Sequence, residues 1–450
     1  MRIAMLFYGS RGDIQPGVCL ALELQRRGHR VTVAVPPNLV ALAEATGVTD
    51  VVAVGKDTHT AWTSAAAKES LSGRNPLQRA KFAFDTVRAG FAAFDADLCE
   101  LFLRADVVAG GDVDSAGSAS AADATAARGE FDLLVVGPLC QERGFAVAER
   151  LGVPLVVLRY GPMSENGVIG AIPGMPEDWS PTWKRRSWQL ADGVTWLATG
   201  WNENSFRRRI GLPPARTPLP GRLRRAGVPQ IQAYDPAMVP GLVEEWGERK
   251  PVVGFLDLPR ESRSGLGEIT ADDPVLAGWL AAGTPPVFIS FGSMPLTDPD
   301  AVVDTLRGAC RRAGVRALIA VGERRGPDPA DPDAYFTGPV DHSSVLPHCV
   351  AAIHHGGAGT TGATLRAGLP TLICAVTADQ PFWGDRVRAL GVGAGIRIGA
   401  LTEDLANTEL TALLTEEARE RAAAFATAMI APDKAVSSAA DLVESRIGPR

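Results

Sequence analysis

Two short stretches of this chain hold residues whose types and spacing could do chemistry. The first is the turn GSRGD, ending at Asp13, between an apolar run and a helical one. As a first-turn helix residue, Asp13 would cap backbone N–H groups. In a ligand site it would accept a proton from an incoming hydroxyl. The two roles are compatible. The turn has neither the G-x-G-x-x-G spacing of a dinucleotide site nor the G-x-x-x-x-G-K of a P-loop. Taken alone, it fits a tight strand-to-helix connection as well as it fits a site.

The second stretch is AAIHHGGAGTT, residues 351–361. An apolar strand-like run ends in His354 and His355. Gly356, Gly357 and Gly359 follow, then Thr360 and Thr361. GATLRAGLP then reads as a short helix closed by Gly368, with Pro370 just beyond. A strand, a glycine turn and a helix N-terminus make an anion site, because unpaired N–H groups and the helix dipole converge there. No metal is expected. Adjacent residues on a strand point to opposite faces, so the two histidines cannot easily share an ion, and no carboxylate or cysteine lies at ligand spacing. A buried structural histidine is the alternative to a phosphate donor. Asp379 and Gln380 follow the strand-like TLICAV; a carboxylate beside an amide suits a pattern of hydroxyl groups, or a plain polar loop. The turn FGS at 291–293 is another strand end.

Positioning these turns requires a particular kind of scaffold. RIAMLF, VTVAVP and VVAVG alternate with helical runs, so a βαβαβ unit and a doubly wound parallel sheet are expected. The alternation restarts at PPVFISFGSM and continues through VRALIAVG, YFTGPV, AAIHHGG, TLICAV and GAGIRI. The chain of 450 residues is long enough for two or three domains. The reading is an N-terminal domain at 1–258, a polar linker at 259–273, a second α/β domain at 274–430 and a final helix at 431–450. In doubly wound sheets ligands bind at the carboxyl ends of the strands, where all four turns fall.

A net charge of −6 argues against a protein that covers nucleic acid or an anionic membrane. The arginines at 207–209, 222, 224 and 225 read as a solvated face or loop. No apolar run reaches the ~20 residues of a membrane span, and MRIAMLFYG reads as a first strand. The six scattered cysteines have no CxxC; reduced structural thiols and a cytoplasmic protein are the simplest reading. Residues 161–190, rich in Pro, Gly and Trp, read as a long irregular functional loop. The glycine- and alanine-rich segment 110–130 reads as a loop or weak helix.

GSRGDIQP, FGS, HHGGAGTT and AGLPTLICAVTADQPFWGDRVRALGVG, in that order, resemble the family 1 nucleotide-sugar-dependent glycosyltransferases. The likeness is greatest to bacterial natural-product members (antibiotic, macrolide and glycopeptide types) and to sterol glucosyltransferases. It is dense over roughly 285–400 and confined to about 35 residues and a few strands at the N-terminal end. It implies two Rossmann-like domains facing across a cleft, the GT-B architecture, with acceptor in the first and donor in the second, and the last helix returning to the first.

By this resemblance His355, Gly356, Gly357, Gly359 and Thr360 meet the donor diphosphate, and Ser293 is another phosphate contact. Val340 and His342 border the base, and Asp379 and Gln380 hold the sugar hydroxyls. Ser10 and Gly12 close over the diphosphate, and Asp13 is the catalytic base. Two departures are informative. Many members carry a histidine in the first turn, and this chain has none there. Plant-type members place a ribose-binding glutamate where this chain has Ala363, so the ribose contact is unassigned.

The expected reaction is metal-free, inverting transfer of a hexose from a UDP- or TDP-sugar co-substrate to a hydroxyl of an apolar small molecule, such as a polyketide, macrolide, ansamycin or sterol. No permanent cofactor, nucleic acid or integral membrane association is expected, and the protein is a monomer or homodimer. The loop at 161–190 and the helix carrying Phe82, Phe84, Phe91, Phe94 and Phe102 are candidates for the acceptor pocket; core packing is the alternative for that helix. Other functional classes are an epimerase or hydrolase of sugar nucleotides and a silent partner of another glycosyltransferase.

Overall fold

The computed structural model describes residues 1–58, 90–103, 131–172, 175, 178–294, 296–322, 324–377 and 379–446. Phe82, Phe84 and the segment 110–130 lie outside the described residues. The chain divides into two compact units. The first comprises Met1–Ala233, Gly241–Leu258 and Asp433–Arg450; the second comprises Tyr234–Pro240 and Pro259–Pro432.

The first unit is built on six strands: β1 (Arg2–Leu6), β2 (Arg30–Val35), β3 (Val51–Ala53), β4 (Leu133–Val136), β5 (Leu155–Arg159) and β6 (Gln230–Gln232). They run parallel in the order β3-β2-β1-β4-β5-β6. Helices on both faces explain why the central strands are continuous apolar runs, buried on both sides. The strand order reverses between β1 and β4, which opens a crevice at their carboxyl ends.

The second unit repeats this plan with β7 (Val287–Ser290), β8 (Ala317–Ala320), β9 (Gly326–Asp328), β10 (Asp331–Phe336), β11 (Ala351–His354), β12 (Thr371–Ala375) and β13 (Gly393–Arg397). The order is β13-β12-β11-β7-β8-β10-β9, with β9 alone antiparallel. Its order reverses between β7 and β11, where Ser290 pairs with His354. Both units are therefore α/β with a Rossmann-like strand order.

The glycine turns lead into α1 (Arg11–Arg26) after β1 and α4 (Ala358–Arg366) after β11. Also relevant are α2 (Gln141–Leu151), α3 (Pro181–Arg209), α5 (Gln380–Ala389) and the terminal α6 (Pro432–Glu444). Helix α6 belongs to the first unit. Arg27 Nη1 bonds Asp441 and Glu444 at 2.6 and 2.7 Å, and His29 Nε2 meets Glu444 at 2.7 Å.

Several segments differ from their sequence reading. The irregular stretch expected over 161–190 ends at Ser180. Pro181 then opens α3, a helix of 29 residues in which proline sits at a tolerated first-turn position. Trp188 is buried and donates to the Ile169 carbonyl at 2.8 Å, so it braces the loop. Of the strand expected at PQIQAYDPAMV only Gln230–Gln232 is ladder-paired, and KPVVGFL contributes a single bridge, Gln232 to Val252. The segment 259–273 lies within the second unit. Its buried Arg263 bonds Glu268 at 2.9 Å and lies 3.6 Å from Asp341, and Ile269 bridges to Val340.

Phe94 and Phe102 are buried in the first unit's core with Leu98 and Phe131. Phe91 packs against that core under the Arg143 guanidinium. The core-packing alternative holds for these three. Arg207 is bidentate to Glu149 and Arg222 pairs with Glu203, so part of the arginine run is tied into the fold. The six cysteines are buried and free. Among the described residues no helix is long and apolar enough to cross a membrane.

Candidate functional site

In the first unit the site grows from the carboxyl end of β1. The Phe7 ring is wedged where side chains on Gly17 and Gly137 would stand; a Cβ at either would come within 2.2 and 2.8 Å of it. This fixes the direction in which the chain leaves the sheet. Gly9 then turns it at φ +127°, a conformation open essentially to glycine alone. A Cβ at Gly9 would also lie 2.3 Å from Asp13 Oδ2. Glycine here makes both the turn and the room for the carboxylate.

Ser10 is the N-cap of α1, and Asp13 is the third helical residue. The Ser10 N–H and Oγ–H both donate to Asp13 Oδ2, at 2.7 and 2.9 Å. Among the described residues Oδ1 has no donor. Burial raises the Asp13 pKa from the ordinary aspartate value, and the two Ser10 hydrogen bonds oppose that rise. A partly desolvated carboxylate with one committed and one free oxygen is a stronger base than a solvated one. Gly12 lies in the first turn, 3.6 Å from Ser10 Oγ at its absent Cβ.

Tyr160, just after β5, was not singled out in the sequence. Its hydroxyl is buried without a hydrogen-bond partner. Burial pushes its pKa well up, and the negative charge of Asp13 adds to the rise. The only signal was a tyrosine ending the strand VPLVVLRY.

In the second unit the adjacent histidines part company. His354 is fully buried: its Nδ1 accepts from the Gly356 N–H at 3.0 Å, and its Nε2 faces Thr371 Oγ1 at 3.0 Å. Burial keeps it neutral, with a pKa well below the usual histidine value. It is the structural histidine that the strand alternation allowed. His355 faces the other way, toward the FGS turn. A Cβ on Gly292 would lie 3.3 Å from its ring, and a Cβ on Gly357 would strike Nε2 at 2.5 Å. Its Nδ1 is buried without a partner. Burial lowers its pKa to about 4, against the raising effect of the Ser290 carbonyl as an acceptor toward the ring. A neutral ring carries one N–H, so His355 donates to an anion in the tautomer that does not give its proton to the Ser290 carbonyl.

Gly356 has φ +92°, and a Cβ there would strike Ile373 at 2.6 Å. Its N–H is already given to His354, so it shapes the turn and supplies no donor. Gly357 is the N-cap of α4 and brings no side-chain cap. The N–H groups of Ala358, Gly359 and Thr360 are then the open first-turn donors of a helix whose dipole favours an anion. A Cβ on Gly359 would meet nothing within 4 Å. Thr360 and Ser293 have no partner for their hydroxyls among the described residues, whereas Thr361 Oγ1 donates back to the Gly357 carbonyl at 3.0 Å.

The remaining predicted residues are more committed. Gln380 Oε1 accepts from the N–H groups of Val376 and Thr377 at 2.8 and 3.0 Å, and its Nε2 faces Met294 Sδ, beside Ser293. It buckles the loop and presents only its amide. Asp379 Oδ2 accepts from Trp383 Nε1 at 2.8 Å. His342 packs edge-on against Phe288, and its charge acts on His355. The Val340 side chain lies in the core, and Val340 bridges to Ile269. Ala363 is also in that core, so it offers nothing to a ribose. His355, Gly292, Gly356, Gly357, Ser293, Thr360 and Gln380 thus gather at the switch point of the second sheet. Ser10, Gly12 and Asp13 gather at that of the first. Among the described residues no group of three or more His, Cys, Asp or Glu is placed to hold a metal.

Residues 328–444 match the family model described as the erythromycin biosynthesis protein CIII-like C-terminal domain. A glycosyltransferase of Mycobacterium tuberculosis, itself uncharacterized, is 37% identical over 99% of this chain and 98% of its own length. The sterol 3-beta-glucosyltransferase UGT80A2 of Arabidopsis thaliana is 31% identical over 87% of this chain and 57% of its own. This chain belongs to the family 1 glycosyltransferases. Among solved structures, the kitacinnamycin glycosyltransferase superposes with a TM-score of 0.65 at 19% identity, covering 99% of both chains. VinC in complex with DTDP gives 0.57 at 19%, covering 99% and 100%. LpCGTa in complex with UDP gives 0.61 at 16%, covering 100% and 99%. These likenesses show the fold, and it is the GT-B fold.

Proposed function

We propose that this glycosyltransferase moves a hexose, with inversion, from a UDP- or TDP-sugar to a hydroxyl of an apolar small molecule. The observation that carries the reading is that each unit's switch point holds its own turn: a carboxylate at Asp13 in the first, and an uncapped helix end with His355, Ser293 and Thr360 in the second. The acceptor oxygen bonds to the anomeric carbon as the carbon–phosphate oxygen bond breaks. The acceptor proton passes to Asp13, and the diphosphate leaves with the bonding pair. An alcohol is a weak acid, so base assistance by Asp13 contributes ~10²–10⁴-fold.

Charge on the departing diphosphate is met by the N–H groups of 358–360 and the side chains of His355, Thr360 and Ser293, donors of the kind that stabilise an oxyanion without a metal ion. Nucleotides in the VinC and LpCGTa structures support a nucleoside-diphosphate donor, and the sterol-glucosylating relative supports an apolar alcohol as acceptor.

The test is a mass-spectrometric screen of UDP- and TDP-hexoses against hydroxylated polyketides and sterols, in the presence of a chelator. The expected result is an acceptor heavier by one hexosyl unit, of inverted anomeric configuration. Activity only after metal is restored, or donor hydrolysis with no acceptor product anywhere in the panel, would overturn the reading.

A further inference from the structure

Helix α3 carries its apolar residues on the outside. Leu197 is 83% exposed, Leu190 68%, Val194 58%, Trp183 57% and Trp201 44%. Positions 183, 190, 194, 197 and 201 are spaced by seven, four, three and four residues. At about 100° per residue they fall within a band of roughly 60° on one face. That band is about 27 Å long at 1.5 Å per residue. An amphipathic surface helix normally turns such a stripe inward.

The charges on the same helix are sorted with the stripe. Arg186 lies one turn after Trp183, its guanidinium 5.2 Å from that ring. Arg208 lies two turns beyond Trp201. Both are exposed, and neither has an acidic partner among the described residues. The two acids of α3 lie on the opposite side. Glu203 is buried and bonds Arg222 at 2.6 Å, and Asp192 is partly buried, its pKa raised by that burial. A protein with a net charge of −6 thus displays a face of α3 with two tryptophans, three aliphatic side chains, an arginine near each end and no carboxylate from the helix itself.

We infer that this face of α3 lies on the surface of an anionic phospholipid bilayer. Tryptophan and leucine would enter the boundary between headgroups and acyl chains, with arginine meeting the phosphates, as in helices that lie in the interface plane. A second copy of the chain fits less well, because a self-complementary contact along the stripe would confront Arg186 and Arg208 with arginines and no acid. The inference stands on α3 alone and does not depend on which sugar or acceptor is used.

The test is co-sedimentation of the full chain with vesicles of phosphatidylcholine alone, or with about 30% phosphatidylglycerol. The expected result is binding to the mixed vesicles, lost at about 0.5 M salt. Binding should fall tenfold or more, by order of magnitude, in Leu190→Ser/Leu197→Ser and in Arg186→Glu/Arg208→Glu. These side chains are exposed, so an unchanged melting temperature in both variants shows that the fold is intact. Failure to bind mixed vesicles, equal binding to neutral and anionic vesicles, binding untouched by both double variants, or a dimer in light scattering that Leu190→Ser/Leu197→Ser dissolves would each overturn it.

Discussion

The turns at Asp13 and His355 share one plan and differ at the helix end. Each follows the strand at its sheet's switch point, and each uses glycine where a side chain would collide. In helix α1 the N-cap residue holds the acid of the first turn: the Ser10 N–H and hydroxyl both donate to Asp13. Helix α4 begins at Gly357 and brings no side-chain cap, so its donors stay open. A single choice at the N-cap thus separates a held carboxylate, suited to receive a proton, from an empty cradle suited to an anion.

The largest expected effect breaks the first turn. Asp13→Asn preserves shape and removes the proposed base, so kcat should fall by ~10²–10⁴-fold. UDP or TDP affinity, measured by calorimetry, should change little. Equal loss of both would make Asp13 a structural residue only. Next, His355→Ala should weaken nucleotide binding by roughly ten- to a hundredfold; unchanged affinity would remove His355 from the anion site. Because burial holds its pKa near 4, His355 is neutral above about pH 5, and nucleotide affinity should not fall between pH 6 and 8 through loss of its proton.

Much of this division was legible in the chain, for identifiable reasons. Strand runs ending in glycine place the turns, and the two-residue period of a strand separates His354 from His355. What the sequence did not disclose depended on side chains choosing among partners. Gln380 spends its carbonyl on Val376 and Thr377, and Gly356 spends its N–H on His354, choices that no spacing encodes. Helix α3 is not legible up to residue 190 because Trp183 and Leu190 point outward and, of its large apolar residues there, Trp188 alone is buried. Hydrophobic periodicity is read as a buried face, and here it marks an exposed one.

Smaller effects sharpen the comparison. Gly9→Ala combines a disfavoured backbone angle with a clash at Asp13, and should cost about 1–3 kcal/mol, read as a lower melting temperature. The adjacent threonines should separate. Thr361→Val removes a bond to the Gly357 carbonyl and should cost about 0.5–1.5 kcal/mol of stability. Thr360→Val should weaken nucleotide binding several-fold with stability unchanged.

The most direct test of Asp13 as base is kcat/KM against pH, in the wild type and in Ser10→Ala. Transfer requires the carboxylate form, so the rate should rise with pH through a pKa above the ordinary aspartate value of about 4 and then level off. The Ser10 hydroxyl donates to the charged form and lowers that pKa. Removing it should move the acid limb to higher pH, with the plateau reached later. An acid limb at the ordinary value, or one that stays in place in Ser10→Ala, would contradict the assignment of proton transfer to Asp13.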